Sequence, residues 1–245
     1  MLCVAPTTRG PSRWIRVRSG ALDRIAAVVI GVVLGPVIGA LAWWVHCSDG
    51  PPGIIALDRT GRAGQSFRML KLRSMRVDDT FGRGVGAALT AGEDLRVTST
   101  GRCLRRHRLD ELPQVLNVVR GEMALIGSRP EACDLVDPND SAWTEVLTVP
   151  PGITGATQLV VHEWEERVMS GGGDHVARYR STVLPVKLAI DRWYVGRASP
   201  GLDAVIAWSM VERFVLRRPT SAIDRLVRRE VPEARLVTGP SEAGS

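Results

Sequence analysis

The longest feature of the hydrophobic pattern is an uncharged stretch of 21 residues from Ile25 to Val45. A straight helix of that length extends for roughly 31 Å, which matches the ~30 Å hydrocarbon thickness of a bilayer. The pattern therefore predicts a membrane helix over residues 25–46. Three forms of this helix are open: a cleaved signal peptide ending near Ala40-Leu41-Ala42, a spanning helix, and a re-entrant helix that returns to its own side.

The charges around this stretch favour the re-entrant form. Basic residues flank it on both sides, and positively charged flanks stay on the cytoplasmic face. A straight spanning helix would place one of the two flanks on the other face. Gly35-Pro36 lies at the middle, where proline removes a backbone hydrogen bond and disfavours helical geometry at the preceding residue. We expect a basic cytoplasmic N-terminus at 1–24 and a helix broken at Pro36; a proline-kinked spanning helix is the alternative. The flanking residues are Arg9, Arg13, Arg16, Arg18 and Arg24, then Arg59, Arg62, Arg68, Lys71, Arg73 and Arg76.

Strand-like and turn-like patterns follow the apolar stretch. Residues 54–58 and 66–72 are short strand-like runs around a glycine-containing turn, which predicts a β-hairpin. Residues 78–94 hold four glycines without periodicity and predict a mobile loop. A helical pattern from 98 to 119 ends at Gly121, a suitable residue for a helix C-terminus.

The C-terminal half reads as helical. Residues 176–217 predict one or two helices interrupted at Ser199-Pro200-Gly201, and residues 230–245 predict a disordered tail. The fold class is therefore α+β, mainly α: a broken membrane helix, a short hairpin, and interfacial helices around a small domain. The boundaries of that domain are set at 47–229.

Composition and charge narrow the class of protein. With 44% hydrophobic and 24% charged residues in 245, the chain is an ordinary folded protein, neither wholly disordered nor a multi-span membrane protein. Only Lys71 and Lys187 are lysine, so 30 of the 32 basic residues are arginine, and the net charge is +6. Arginine suits phosphorylated partners, namely nucleotides, nucleic acid or lipid headgroups. A coding bias toward arginine explains the excess equally well. Four scattered cysteines without a CxxC pair indicate neither a disulfide framework nor a zinc site.

Adjacent carboxylates at Asp110 and Glu111 are the strongest candidates for chemistry. Arginines precede them, and Pro113 follows, which predicts a helix start or a sharp kink where anions are favoured. Two carboxylates can hold a divalent metal that bridges phosphate oxygens, and a carboxylate can attack phosphorus. The alternative is that Asp110 caps a helix and Glu111 pairs with an arginine.

Several motifs in register closely resemble the bacterial sugar transferase family, the monotopic polyprenyl-phosphate phosphoglycosyl transferases. The resemblance covers roughly residues 20–210. The motifs are Arg62-Ala63-Gly64, Phe67, Lys71-Leu72-Arg73-Ser74-Met75, Thr100-Gly101-Arg102, Leu104-Arg105-Arg106, Leu109-Asp110-Glu111-Leu112-Pro113-Gln114, Asn117-Val118, Gly121-Glu122-Met123, Arg129-Pro130 and Pro151-Gly152-Ile153-Thr154-Gly155.

The resemblance implies transfer of a sugar 1-phosphate from a UDP-sugar to undecaprenyl (polyprenyl) phosphate with release of UMP. It assigns Asp110 as the nucleophile of a ping-pong reaction and Glu111 as a ligand of Mg²⁺. Such an enzyme works on the cytoplasmic face of the bacterial inner membrane, at the first membrane step of a cell-surface glycan or exopolysaccharide. Matching arginines near the pair make Arg105 and Arg129 candidates for phosphate contacts. Lys71 and Arg73 are further candidates; the alternative is that their side chains lie on a solvated face of the hairpin.

Three positions depart from the family pattern. Gly35 stands where serine is common before Pro36, Ser128 stands where proline is usual, and Glu122 replaces aspartate. Two hypotheses of other classes remain: a membrane-tethered basic binding protein and a catalytically inactive scaffold. Nucleic acid is not an expected partner, because the sequence carries no recognisable nucleic-acid module. The sequence specifies neither the sugar nor the oligomeric state.

Overall fold

A computed structural model of the chain describes residues 10–76, 96–171, 173–216, 218 and 221–237. The loop predicted at 78–94 and the end of the predicted tail, 238–245, lie outside these residues. The described part is mainly helical with two small sheets, in agreement with the predicted α+β class.

The α-helices are α1 (Arg13–Val17), α2 (Asp23–Asp49), α3 (Ser99–Arg106), α4 (Val115–Arg120), α5 (Ser141–Val146), α6 (Ala156–Met169), α7 (His175–Arg178), α8 (Leu184–Arg197), α9 (Pro200–Met210) and α10 (Ala222–Glu230). The strands are β1 (Ile54–Thr60), β2 (Ser66–Leu72), β3 (Ala124–Ile126) and β4 (Gly152–Thr154). Short 3₁₀-helices span Arg62–Gly64, Leu109–Gln114, Cys133–Leu135 and Pro232–Leu236, and π-helical turns span Arg18–Leu22, Tyr179–Val183 and Val211–Val215.

The apolar stretch forms the long helix α2, which contains the predicted range 25–46. By length and composition it is capable of crossing a membrane. One side of α2 packs on the domain through Ala27, Ile38 and Val45, while the other side is exposed and, from residue 25 to residue 45, carries no charged side chain. An exposed apolar surface of this size is typical of a contact with lipid or with another protein. The exposed side chains are Ile25, Val28, Val29, Ile30, Val32, Val33, Val37, Trp43 and Trp44.

Both ends of α2 pack against the same folded unit. Near its start, Ala27 belongs to a buried cluster with Val118 and Met123. Near its end, Val45 packs with Leu72 and Leu104. The helix therefore has one continuous buried stripe along its length.

The helix is continuous across Pro36, so the predicted break is not found there. A single proline removes one backbone hydrogen bond but holds φ near the helical value, and a helix at membrane depth tolerates it as a local adjustment. Gly35 and Pro36 are both exposed and lie on the side of α2 away from the domain.

The hairpin has the predicted form. β1 and β2 pair antiparallel, with Ile54 opposite Leu72 and Thr60 opposite Ser66. Its turn uses left-handed backbone at Ala63 (φ 57°) and Gly64 (φ 75°). β2 lies against the 3₁₀-helix that carries Asp110 and Glu111.

Helices α5, α6, α8, α9 and α10 form most of the larger core of the domain. Aromatic side chains lie at its centre, with Trp143, Tyr179 and Tyr194 all buried. The predicted interruption before residue 201 is confirmed, because Ser199 caps α9 and Pro200 occupies its first turn.

The predicted disordered tail is wrong for residues 231–237. α10 is followed by the 3₁₀-helix Pro232–Leu236, and Val231, Ala234 and Val237 are buried. Together with Ile223 and Val227 of α10, these residues form an apolar stripe that continues the core. The spacing of three or four residues is a helical periodicity that the polar composition of the segment masks.

Candidate active site

Asp110 and Glu111 lie on the short 3₁₀-helix Leu109–Gln114, where both are buried, at 2% and 8% exposure. The residue before this helix, Arg108, has left-handed backbone (φ 55°). That conformation costs a non-glycine residue about 1 kcal/mol or more, and such strain concentrates at functional sites. It reverses the chain sharply between α3 and the carboxylate pair.

Lys71 reaches Asp110 from strand β2. The distance from its Nζ to Asp110 Oδ2 is 2.8 Å. Burial lowers the pKa of Lys71, and the negative charge of Asp110 opposes that shift. Lys71 is therefore in direct contact with Asp110, the predicted nucleophile, and does not lie on a solvated face of the hairpin.

Glu111 is held by two arginines. Arg129 Nη2 lies 3.0 Å from Oε1, and Arg108 Nη1 lies 3.7 Å from Oε2. Burial alone raises the pKa of Glu111, but the charges of Arg129, Arg108 and Lys71 outweigh it and lower the pKa to about 2. In turn, the charge of Glu111 raises the pKa of Arg129. We call Lys71, Arg108, Asp110, Glu111 and Arg129 the front cluster.

Tight backbone packing positions Arg129. β3 and β4 pair in parallel, and Gly152 N donates to Ser128 O at 2.7 Å. A Cβ on Gly152 would lie 2.1 Å from Gly127 N, so the two chains can approach this closely only with glycine. The Pro-Gly motif at 151–152 therefore serves to fix the loop that carries Arg129.

A second ionic group lies directly behind Arg129. Lys187 Nζ is 2.6 Å from Glu131 Oε1 and 3.6 Å from Glu165 Oε1. Tyr179 Oη donates to Glu131 Oε1 at 2.8 Å and accepts from Lys187 Nζ at 2.6 Å. We call Glu131, Glu165, Tyr179 and Lys187 the rear cluster.

Other basic residues and a histidine surround the front cluster. His162 of α6 lies within the electrostatic reach of Arg108, Arg129 and Arg213. Burial first, and then these arginines, lower its pKa to about 3, so its imidazole is neutral at physiological pH. Arg59, on the hairpin, lies within the electrostatic reach of Arg129, and burial lowers its pKa.

The structure separates the predicted phosphate-binding residues. It brings Lys71 and Arg129 to the carboxylates, whereas Arg105 donates from Nε to Ser74 Oγ at 2.9 Å. Arg73 is buried and donates to the carbonyls of Gly50 and, at 2.8 Å, Pro51. It thus binds the segment that follows α2.

Sequence reasoning missed Arg108, Arg59, His162 and Arg213. Arg108 could have been found from the sequence, because it lies two residues before Asp110. The other three come from distant parts of the chain, and no local pattern marks them.

Two of the three departures from the family pattern have structural partners. Glu122 Oε2 accepts a hydrogen bond of 2.7 Å from Asn117 Nδ2, and that amide also donates to Arg68 O. Glu122 therefore supports the contact that Asn117 of α4 makes with strand β2. Ser128 is buried and contributes its carbonyl to the β3–β4 crossing.

The carboxylate pair has the donor chemistry for Mg²⁺ without forming a complete metal cage. Among the described residues no three His, Cys, Asp or Glu side chains cluster as a metal site would require. Mg²⁺ is commonly held by one or two carboxylates together with substrate phosphates. Asp110 and Glu111 therefore fit a metal that arrives with a diphosphate.

Comparisons with known proteins agree with the motifs and the geometry. The family described as bacterial sugar transferase matches residues 14–217. The exopolysaccharide production protein ExoY of Sinorhizobium fredii is 32% identical over 210 residues, covering 81% of this chain and 85% of that protein.

Two further relatives carry transferase names. The UDP-glucose:undecaprenyl-phosphate glucose-1-phosphate transferase of Caulobacter vibrioides is 30% identical, covering 80% of this chain and 71% of that protein. The galactosyl transferase CpsE of Streptococcus agalactiae is 34% identical, covering 55% of this chain and only 32% of that longer protein. On the family match, on the extent of these similarities and on the intact carboxylate pair, this chain belongs to the bacterial sugar transferase family.

Proposed function

We propose that this protein transfers a sugar 1-phosphate from a UDP-sugar to polyprenyl phosphate with release of UMP, as a step in the synthesis of an exopolysaccharide or another cell-surface glycan. The observation that carries the proposal is the front cluster itself. Its two buried carboxylates form ion pairs with three cations, and the 3₁₀-helix that carries them contacts α2, which has an exposed apolar side. A phosphorylated lipid and a nucleotide diphosphate both need cations, and the lipid also needs the membrane.

In the first half-reaction, Asp110 attacks the phosphorus that bears the sugar. A bond forms between a carboxylate oxygen and that phosphorus, and the phosphoanhydride bond to UMP breaks. UMP leaves with the bonding electrons on its phosphate oxygen. In the second half-reaction, a phosphate oxygen of the polyprenyl phosphate attacks the same phosphorus and frees Asp110.

The cations have separate roles in this scheme. Lys71, 2.8 Å from Asp110, orients the nucleophile. Arg129 and Arg108 bind Glu111 and keep 31% and 23% of their side chains exposed, so they are available to stabilise negative charge that develops in the transition state. Mg²⁺, held through Glu111 and the substrate phosphates, would neutralise further charge on the diphosphate.

Labelling with a UDP-sugar that carries ³²P in the sugar-linked phosphate tests the nucleophile. The wild-type protein should become labelled when no acceptor is present, and Asp110→Asn should lose both the label and the release of UMP. The matched control is Asp137→Asn, at an exposed aspartate remote from the pair, which should keep both. Label on Asp110→Asn, or release of UDP in place of UMP, would reject the proposed chemistry.

We also propose that both ends of α2 lie on the cytoplasmic side. The support is that both ends pack against one folded unit, which cannot lie on two sides of a bilayer. Exposed positions at the two ends, Val17→Cys and the native Cys47, can be labelled with an impermeant maleimide in a background without the other cysteines. Both sites should react in inverted vesicles and neither in intact cells. If one site reacts only in inverted vesicles and the other only in intact cells, α2 spans the membrane.

A further inference from the structure

The short helix α4, which directly follows the carboxylate pair, has one exposed apolar side. Its other sides hold it in the fold. Val115 and Val118 belong to the buried cluster that packs on α2, and Asn117 Oδ1 accepts a 3.0 Å hydrogen bond from the backbone of strand β2. Leu116 and Val119 lie on the opposite side of the helix, where they are 41% and 36% exposed.

This exposed side continues the side of the 3₁₀-helix that carries Asp110. The 3₁₀-helix passes directly into α4, so the two form one helical segment. Residues three apart in a 3₁₀-helix lie above one another, which places Pro113 above Asp110. Further steps of three reach Leu116 and Val119, and in α-helical geometry each step rotates by only about 60°. The predicted nucleophile and two exposed apolar side chains therefore lie along the same side of the segment.

The length of this side matches a short piece of an isoprenoid chain. With about 2.0 Å of rise per residue in the 3₁₀-helix and about 1.5 Å in α4, Leu116 lies roughly 11 Å and Val119 roughly 15 Å along the axis from Asp110. An isoprene unit adds four carbons to a chain and, at about 1.5 Å per bond with the zigzag counted, extends for roughly 5 Å. Leu116 and Val119 therefore lie at the distance of the second and third units of a chain whose phosphate is at Asp110.

The membrane helix runs beside α4. Besides the contact through Val115 and Val118, the end of α4 meets the start of α2, where the guanidinium of Arg24 occupies the space that a Cβ on Gly121 would need. The exposed side of α2 is apolar at Val29 and Val33. A chain that leaves the bilayer beside α2 can thus reach the carboxylate pair along α4 and keep its apolar surface out of water.

We propose that Leu116 and Val119 bind the second and third isoprene units of the polyprenyl phosphate acceptor while its phosphate lies at Asp110. The proposal rests on the reaction proposed above and assigns one part of the site to the acceptor alone. The UDP-sugar carries no apolar chain, so only the second half-reaction uses this side of α4. Acceptors of three or more units should therefore be better substrates than shorter ones.

The variant Leu116→Ser/Val119→Ser tests the proposal by separating the two half-reactions. When a covalent intermediate divides a reaction, kcat/KM for each substrate reports only the half-reaction in which that substrate takes part. In detergent micelles, kcat/KM for a polyprenyl phosphate of four units should fall about tenfold, because two apolar side chains no longer cover the chain. Labelling of the protein by the ³²P-labelled UDP-sugar without acceptor, and kcat/KM for the UDP-sugar, should stay at the wild-type values. Retained labelling also shows that the variant is folded.

The length of the acceptor chain sharpens the test. Neryl phosphate has two isoprene units and ends before Val119, so Val119→Ser should lower kcat/KM for the four-unit acceptor and leave that for neryl phosphate unchanged. The control Val211→Ser/Leu216→Ser removes the same two residue types at 37% and 48% exposure, on the C-terminal side of the domain, and should change neither value. Equal losses for the two acceptors in Val119→Ser would overturn the assignment of that residue to the third unit.

Failure of this proposal is distinguishable from failure of the proposed reaction. A wild-type protein that takes no label and releases no UMP would overturn the reaction and, with it, the acceptor site. A protein that is labelled normally, and in which Leu116→Ser/Val119→Ser leaves kcat/KM for the four-unit acceptor unchanged, overturns the acceptor site alone. The exposed side of α4 would then be left to phospholipid or to a protein partner.

Discussion

The front and rear clusters meet at Arg129-Pro130-Glu131, yet they differ in access. In the front cluster, Arg129 retains 31% exposure of its side chain although it binds Glu111. In the rear cluster, the side chain of Lys187 is only 7% exposed, and Tyr179 is almost fully buried. The front cluster is open to a ligand at Arg129, whereas the rear cluster is closed inside the core except at Glu165, whose side chain is 29% exposed.

Their charge balance also differs. The front cluster contains three cations and two carboxylates, so an anionic substrate brings its net charge closer to zero. The rear cluster sets one lysine against two carboxylates and a tyrosine, and its hydrogen bonds are already satisfied within the protein. Breaking a buried ion pair is costly, and only in the front cluster would an incoming phosphate replace the contact that is lost. We infer that the rear cluster stabilises the fold and that the front cluster is kept for the substrate.

The largest expected effect is on stability, through Lys187→Met. Removing Lys187 leaves Glu131 buried without its cation, which typically costs about 3–5 kcal/mol in the free energy of unfolding. The measurement is thermal or denaturant unfolding in detergent, with activity expressed per folded molecule. Lys187→Met/Glu131→Gln should recover much of the loss because it removes both charges. A stable Lys187→Met protein with low activity would instead place Lys187 in the reaction.

Arg129→Gln should separate the two clusters by kinetics. We expect kcat/KM for the UDP-sugar to fall about 10²–10³-fold, the usual loss when one donor to a developing anion is removed. Stability should change less than in Lys187→Met, since Arg108 and Lys71 still oppose the charge of Glu111. Arg105→Gln is the matched control, because Arg105 is bonded to Ser74. Equal losses in both variants would contradict the assignment of Arg129 to the substrate.

Acid titration tests how strongly the front cluster holds Glu111. Its pKa in the folded protein is about 2, below the ordinary value of 4.5. A lowered pKa contributes stability that is present above about pH 4.5 and is lost as the pH falls toward 2. The contribution of Glu111 amounts to at most about 3 kcal/mol. It is measured as the difference in free energy of unfolding between wild type and Glu111→Gln across this range, and a difference independent of pH would refute it.

Much of the fold was predictable because local chemistry determines it. The hairpin follows from its strand runs and turn glycines, and Gly121 adopts the left-handed backbone (φ 79°) expected at a helix end. The parallel pairing of β3 with β4 was not predictable, because strands of three residues are too short to show alternation. Nor was the position of α10, whose buried stripe is hidden among arginines.

The site was predictable in its carboxylates and less so in its cations. Asp110, Glu111, Lys71 and Arg129 belong to contiguous motifs, and the structure brings them together. The choice between Arg105 and Arg108 depends on the left-handed backbone at Arg108, which propensity does not predict. Residues that approach from other helices become visible only through tertiary packing.

His162 offers the smallest expected effect and tests the electrostatics of the front cluster most directly. Because burial and the charges of Arg108 and Arg129 hold its pKa at about 3, its imidazole should stay neutral throughout the range of about pH 5 to 8. His162→Gln should therefore leave the shape of the pH profile of kcat/KM unchanged over that range. A histidine of ordinary pKa would add a limb near 6.5, and loss of such a limb in His162→Gln would show that the arginines are farther from the imidazole than in this structure. The same profile measured for Arg129→Gln sharpens the test, since removing one of the neighbouring charges should raise the pKa of His162 toward its ordinary value.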